Sequence, residues 1–171
     1  PIALALESAG FMRYGSNKSL FAVPPSEELD VNSYKKKSQM AQGERFRGAK
    51  YVIISGNSNI SPDIVGDLKA CTDTNNINGE IVKVILLSAA GSEGLDFKYI
   101  RQIHILEPWY NINRIEQIIG RAIRTCSHRD LPLVMRNVQI YMHCTMLNNN
   151  TESVDLFIYI KSVEKAKVIR K

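Results

Sequence analysis

The chain has 171 residues, 44% of them hydrophobic and 23% charged, with a formal net charge of +5 at neutral pH. That length suits one domain with a real core, since a chain of about 150 residues buries roughly 70% of its unfolded surface. No apolar run approaches the roughly 18 residues of a membrane span and no secretory signal opens the chain, so the expectation is a soluble, intracellular protein with no membrane partner.

Cys71, Cys126 and Cys144 are odd in number, widely spaced and without a C-x-x-C pair, which speaks against a disulfide framework or a zinc site. With His104, His128 and His143 they read as core or strand-end residues. The positive charge is uneven. Residues 161–171 hold five bases and one acid, while the rest of the chain is close to neutral, so overall charge argues only weakly for a nucleic-acid partner. The basic tail reads as a solvated helix face.

The chain opens on Pro1 without an initiator Met, as expected of a piece of a longer protein. PIALALESAGF predicts a short helix with Pro in its first turn and Gly10 as its stop. Residues 15–50, with Pro24, Pro25, the acidic SEELD and Lys35 to Lys37, lack periodicity and read as a long surface insertion, partly mobile. The lysine run reads as a solvated loop ahead of a nucleic-acid contact. YVIISG, Tyr51 to Gly56, reads as a buried strand. Ser61 and Pro62 form a cap and first-turn pair for a helix through about Lys69, and DTNNINGE is a turn-rich loop.

Next, Ile81 to Leu87 has the apolar character of a strand buried on both faces. The small-residue loop SAAGSEGLD follows, in which Gly91 and Gly94 would let the backbone approach a ligand, and then a second strand-like run, Ile103 to Leu106. NINRIEQIIGRAIR, Asn111 to Arg124, predicts a helix with two faces. At about 100° per residue, Asn113, Arg114, Gln117, Arg121 and Arg124 share one arc, and Ile112, Ile115, Ile118, Ile119, Ala122 and Ile123 share the other. Glu116 lies away from the polar row. The two arginines therefore either pair with distant carboxylates, sit in water, or wait for an external anion. Strand, glycine loop, strand and arginine helix, in that order, favour a phosphate site at the carboxyl ends of a parallel sheet.

Asn137 to Cys144 reads as a further strand and residues 151–170 as a final helix, with Val154, Phe157, Ile158 and Ile160 among its buried positions. Strands near 51, 82, 103 and 138 separated by helices give an α/β unit with a mostly parallel sheet.

At this point a resemblance becomes specific. SAAGSEGLD, Ser88 to Asp96, resembles motif V of superfamily 2 helicases. QIIGRAIR, Gln117 to Arg124, resembles their motif VI, Q-x-x-G-R-x-x-R, in the right order and about 20 residues later. HILEPWYN, IGRAIR and SHRDLP most resemble the helicase-like ATPases of large cytoplasmic DNA viruses: poxvirus-type nucleoside triphosphatases, early transcription factor helicases, and relatives in African swine fever virus and giant viruses.

The resemblance implies a RecA-like three-layer domain with a mostly parallel sheet, the helicase C-terminal lobe, over residues 1–150, with 151–171 the start of an extension. It implies that Arg121 and Arg124 supply cations to a triphosphate held by another lobe, and that Gln117 contacts the terminal phosphate or the attacking water. Gly94, Asp96 and Gly120 would bind the nucleotide, and Ser88 and Ala89 the nucleic-acid backbone, Ser88 standing where the family more often has Thr. Glu93 either ties motif V to motif VI or faces solvent. Trp109 reads as a core anchor at a strand end rather than a base-stacking ring. ATP and Mg2+ would be the cofactors of the full-length protein. The implied partners are a DNA or RNA backbone, an N-terminal RecA-like lobe and viral RNA polymerase, in the host cytoplasm or the virion. A transcription-factor subunit whose lobe is mainly structural is the alternative. The sequence has no G-x-x-x-x-G-K-[ST] and no acidic box for magnesium, GSNKS (Gly15 to Ser19) being only a superficial echo, so the chain carries half of an active site and is expected to be inactive by itself.

Overall fold

The computed structural model describes residues 1–15, 19–25, 27–88, 94–147 and 151–169. They fall into two compact units, Pro1–Phe97 and Lys98–Lys171.

In the first unit, helix α1 (Ile2–Ala9) ends at Gly10, whose φ of 105° is open only to glycine at low cost. A Cβ there would also stand 2.8 Å from the Glu27 carbonyl oxygen. Strands β1 (Met12–Arg13), β2 (Lys50–Ile54) and β3 (Val84–Leu87) form a parallel sheet in the order β1-β2-β3. Tyr51 pairs with Val84 and Ile54 with Leu87. Between β2 and β3 runs helix α2 (Ile64–Thr72). The sheet's centre is apolar: Tyr51, Val52 and Ile54 are buried with Val31, Ala49, Val82 and Phe97.

Buried polar groups hold the irregular parts of this unit. Glu7, on α1, accepts hydrogen bonds from the Ser19 hydroxyl at 2.6 Å, the Leu20 amide at 3.0 Å and the Tyr51 hydroxyl at 2.6 Å. Burial opposes its ionisation, but these donors outweigh that cost and leave its carboxyl below the ordinary value. Asn76 donates to the carbonyls of Cys71 and Val82 and accepts from the amides of Ile81 and Val82, fastening the loop before β3. Within residues 15–50, Asp30 is buried and accepts from the amides of Ser33, Arg47 and Asn32 and from the Ser33 hydroxyl. Antiparallel bridges join Leu29 to Lys36 and Asp30 to Gly48.

Two expectations for this unit need correction. The helix after β2 is capped by Asp63, whose carboxylate accepts from the Gly66 amide at 2.9 Å. Ser61 is instead buried between the Ile53 carbonyl and the Ser55 amide, spending its hydroxyl on the end of β2. The strand of the 81–87 run is shorter than its apolar sequence, and all four residues of β3 are half-buried rather than enclosed on both faces.

In the second unit, β4 (Gln102–Ile105) pairs in parallel with β5 (Gln139–Met142), with helices α3 (Ile112–Ala122) and α4 (Val154–Ile169). The core joins Ile105 of β4, Ile115 of α3 and Tyr159 of α4, with Ile103, Ile119 and Cys144 against it. Of the four apolar residues expected inside α4 only Ile158 is buried; Val154, Phe157 and Ile160 are exposed, and the buried side is completed by Tyr159 and Ser162. Apolar residues are distributed all round this helix, so periodicity could not select the packed side. Of the six cysteine and histidine residues, Cys71 and His128 are buried and Cys144 half-buried. His143 follows β5, but Cys126 is an exposed loop residue and His104 an exposed mid-strand one, its ring stacked on Tyr141 at 4.7 Å and 2.9 Å from the His143 ring, nitrogen to nitrogen.

Candidate functional site

Helix α3 begins at Asn111, whose side-chain oxygen accepts from the Asn113 amide at 3.0 Å. Its apolar face packs inward through Ile115 and Ala122. The opposite face carries Asn113, Gln117 and Gly120 exposed, with Arg114 and Arg121 half-buried. Arg121 sits in the last turn, where the helix dipole favours a cation. A Cβ on Gly120 would meet nothing within 4 Å, so this glycine leaves open space beside Arg121. Arg114 lays its guanidinium over the Trp109 ring, 4.2 Å from the centroid, and Trp109 is 39% exposed. Trp109 is therefore a surface ring partnered by an arginine, not a core anchor.

The helix is shorter than its sequence pattern. It stops at Ala122, so Arg124 and the exposed Ile123 lie beyond it, not on the helical row with Arg121. The cause lies downstream. Ser127 donates its amide to the Arg124 carbonyl at 3.0 Å, and its hydroxyl lies 3.3 Å from the Ala122 carbonyl and 2.7 Å from His128 Nδ1. His128 Nε2 lies 2.7 Å from the Ile100 carbonyl; a carbonyl only accepts, so Nε2 carries the proton in this pair. Tyr99 donates its amide to the Ser127 carbonyl and its hydroxyl to Asp130. Tyr99 and Cys126 both adopt left-handed backbone, φ 63° and 67°, at a cost of about 1 kcal/mol or more each, a cost retained where surrounding contacts determine the path. Arg136 closes the far side, donating to the carbonyls of Leu131 and Arg129. The result is an open hollow of about 260 Å³ lined by Ile123, Arg124, Cys126, Ser127, His128, Arg129 and Arg136.

The other site residues lie in the first unit. Ser88 follows β3, its amide donating to the Ile54 carbonyl at 3.0 Å, and so stands at the carboxyl end of the parallel strands. Gly94 is exposed with φ 75°, and Asp96 is exposed. Ala89, Gly91 and Glu93 lie outside the described residues. Thus Gln117, Gly120 and Arg121 share one helix with Arg124 just past it, while Ser88, Gly94 and Asp96 belong to the other unit. Among the described residues, no group of three His, Cys, Asp or Glu side chains could hold a metal ion, and no helix is long and apolar enough to cross a membrane.

Helices with parallel strands in both units give the α/β content of the RecA-like class. The sequence profile of the helicase conserved C-terminal domain matches residues 35–126, more than half of the chain, and the chain belongs to that family. It is 38% identical over 118 residues to an Acanthamoeba polyphaga mimivirus protein provisionally named ATP-dependent RNA helicase L538, covering 69% of this chain and 25% of that protein. It is 47% identical over 78 residues to nucleoside triphosphatase I of Amsacta moorei entomopoxvirus, covering 46% of this chain and 12% of that protein. It is 45% identical over 73 residues to a termination factor NPH-I homolog of African swine fever virus, covering 43% and 10%. The chain thus spans a quarter or less of the length of these relatives.

Sequence reasoning did not single out Ser127, His128, Tyr99 and Arg136 as a group. The phrase SHRDLP was the available signal, but what the four share is contact with backbone groups, two of them, Tyr99 to Ser127 and His128 to Ile100, between stretches 28 residues apart.

Proposed function

We propose that this chain is the C-terminal motor lobe of an ATP-dependent nucleic-acid helicase or translocase, working with an N-terminal RecA-like lobe that holds ATP and Mg2+. The single observation that supports this is the match of the helicase conserved C-terminal domain over residues 35–126, a span that holds Arg121 in the last turn of α3 and Arg124 just past it beside an open hollow. Hydrolysis of a nucleoside triphosphate spreads negative charge over the transferring phosphoryl oxygens, and fixed cations delivered there accelerate it by about 10³ to 10⁵. Arg121 and Arg124 supply that charge, Gln117 orients the terminal phosphate or the attacking water, and the space beside Gly120 admits the phosphates. Asp96 contacts the ribose or senses the nucleotide, and Gly94 lets the loop approach it. Ser88 and Ala89 meet the nucleic-acid backbone, contacts that position without reading sequence.

The family and the relatives' names, as ATP-dependent helicases and a nucleoside triphosphatase, support this reading. The name of the African swine fever virus relative, a termination factor, favours a transcription setting in an infected cell, with RNA polymerase as a partner. The test is ATP hydrolysis by the purified 171-residue chain. It should fold, show no turnover above background and bind ATP no tighter than about millimolar, because the phosphate loop and magnesium ligands are expected elsewhere. Clear turnover by this chain would overturn the half-site reading.

A further inference from the structure

Resting on the reading of Arg124 as a phosphate-facing cation, we infer that Ser127 and His128 form a positioning pair that aims Arg124. Arg124 lies past the end of α3, so the helix does not fix its direction. Ser127 holds the backbone there: its amide donates to the Arg124 carbonyl at 3.0 Å, its own carbonyl receives the Tyr99 amide at 3.2 Å, and its hydroxyl sits 3.3 Å from the Ala122 carbonyl, nearer to His128. His128 anchors that hydroxyl at 2.7 Å and is itself tied to the Ile100 carbonyl at 2.7 Å. Both residues are buried at the base of the hollow, where their polar atoms are engaged with the chain itself. The chain from Ala122 to His128 is thereby referred to the backbone at 99–100, just before β4, rather than to α3 alone. An arginine that must reach phosphate oxygens late in a reaction depends on such anchoring, because a misplacement of about 1 Å can cost about a hundredfold in rate.

The experiment is a double-mutant cycle on nucleic-acid-stimulated ATP hydrolysis by the two-lobe protein, with thermal midpoints on the same preparations. Ser127→Ala should lower kcat about tenfold while leaving KM for ATP within about twofold, and Ser127→Thr, which keeps the hydroxyl, should recover most of the rate. In an Arg124→Ala background the same Ser127→Ala change should alter kcat less than about twofold, since nothing remains to aim. If Ser127→Ala is too unstable to assay, His128→Gln carries the same cycle. A loss that persists undiminished without Arg124, or one confined to KM or to the thermal midpoint, would overturn the positioning role. If Arg124→Ala itself turns over at the wild-type rate, the motor-lobe reading fails; if Arg124→Ala is slow and Ser127→Ala is fast, only this inference fails.

Discussion

Asp30 organises the loop from 30 to 47 through amide donors at Asn32, Ser33 and Arg47. The Ser33 and Arg47 amides hold its carboxyl down to about 2, from an ordinary 3.8, against the opposing effect of burial. A carboxylate with a depressed folded value stabilises the fold fully above the unfolded value and loses that contribution as pH falls through the folded one. Stability should therefore decline between about pH 4 and pH 2, and acid titration of Asp30→Asn should show a shallower decline over that window from an unfolding free energy lower at neutral pH by about 2 kcal/mol or more. An unchanged acid profile would mean that Asp30 does not hold this loop. Neither Asp30 nor Glu7 was legible in the sequence. Their donors lie up to 44 residues away, and a single acid's partners at such separations leave no periodic trace in the sequence.

The regular elements were legible because periodicity and turn residues report on a few neighbours at a time. Gly10 as a stop, the strand at 50–54 and the helix opening at Asn111 follow from local chemistry. The end of α3 does not, because Ser127 and His128 draw the chain away, and the packed side of α4 does not, because its apolar residues surround it. Gly120 tests the reading of α3 as a site rather than a plain helix. Its side faces open space, so Gly120→Ala should raise the stability of the second unit by about 0.5–1 kcal/mol in thermal or urea unfolding. If the glycine exists to admit phosphates, the same change should lower ATPase activity of the two-lobe protein several-fold. A stabilised variant with full activity would leave the glycine without a ligand role.

At the scale of the whole molecule, the chain has two compact units, one holding Ser88, Gly94 and Asp96 and one holding Gln117, Arg121 and Arg124. A single lobe makes few phosphate contacts, so its binding to nucleic acid should be weak, indifferent to sequence and steeply dependent on salt, as read from fluorescence anisotropy at increasing salt. Sequence-specific binding in the nanomolar range at physiological salt would favour the DNA-binding transcription-factor alternative. The most direct measurement concerns Arg124. An arginine offers a planar fork that bridges two phosphate oxygens, whereas lysine offers a point charge. In the two-lobe protein, Arg124→Lys should keep the thermal midpoint and most ATP binding while lowering nucleic-acid-stimulated kcat at least about tenfold, and Arg124→Ala about a hundredfold or more. An Arg124→Ala protein that melts early yet turns over at the wild-type rate would contradict the account.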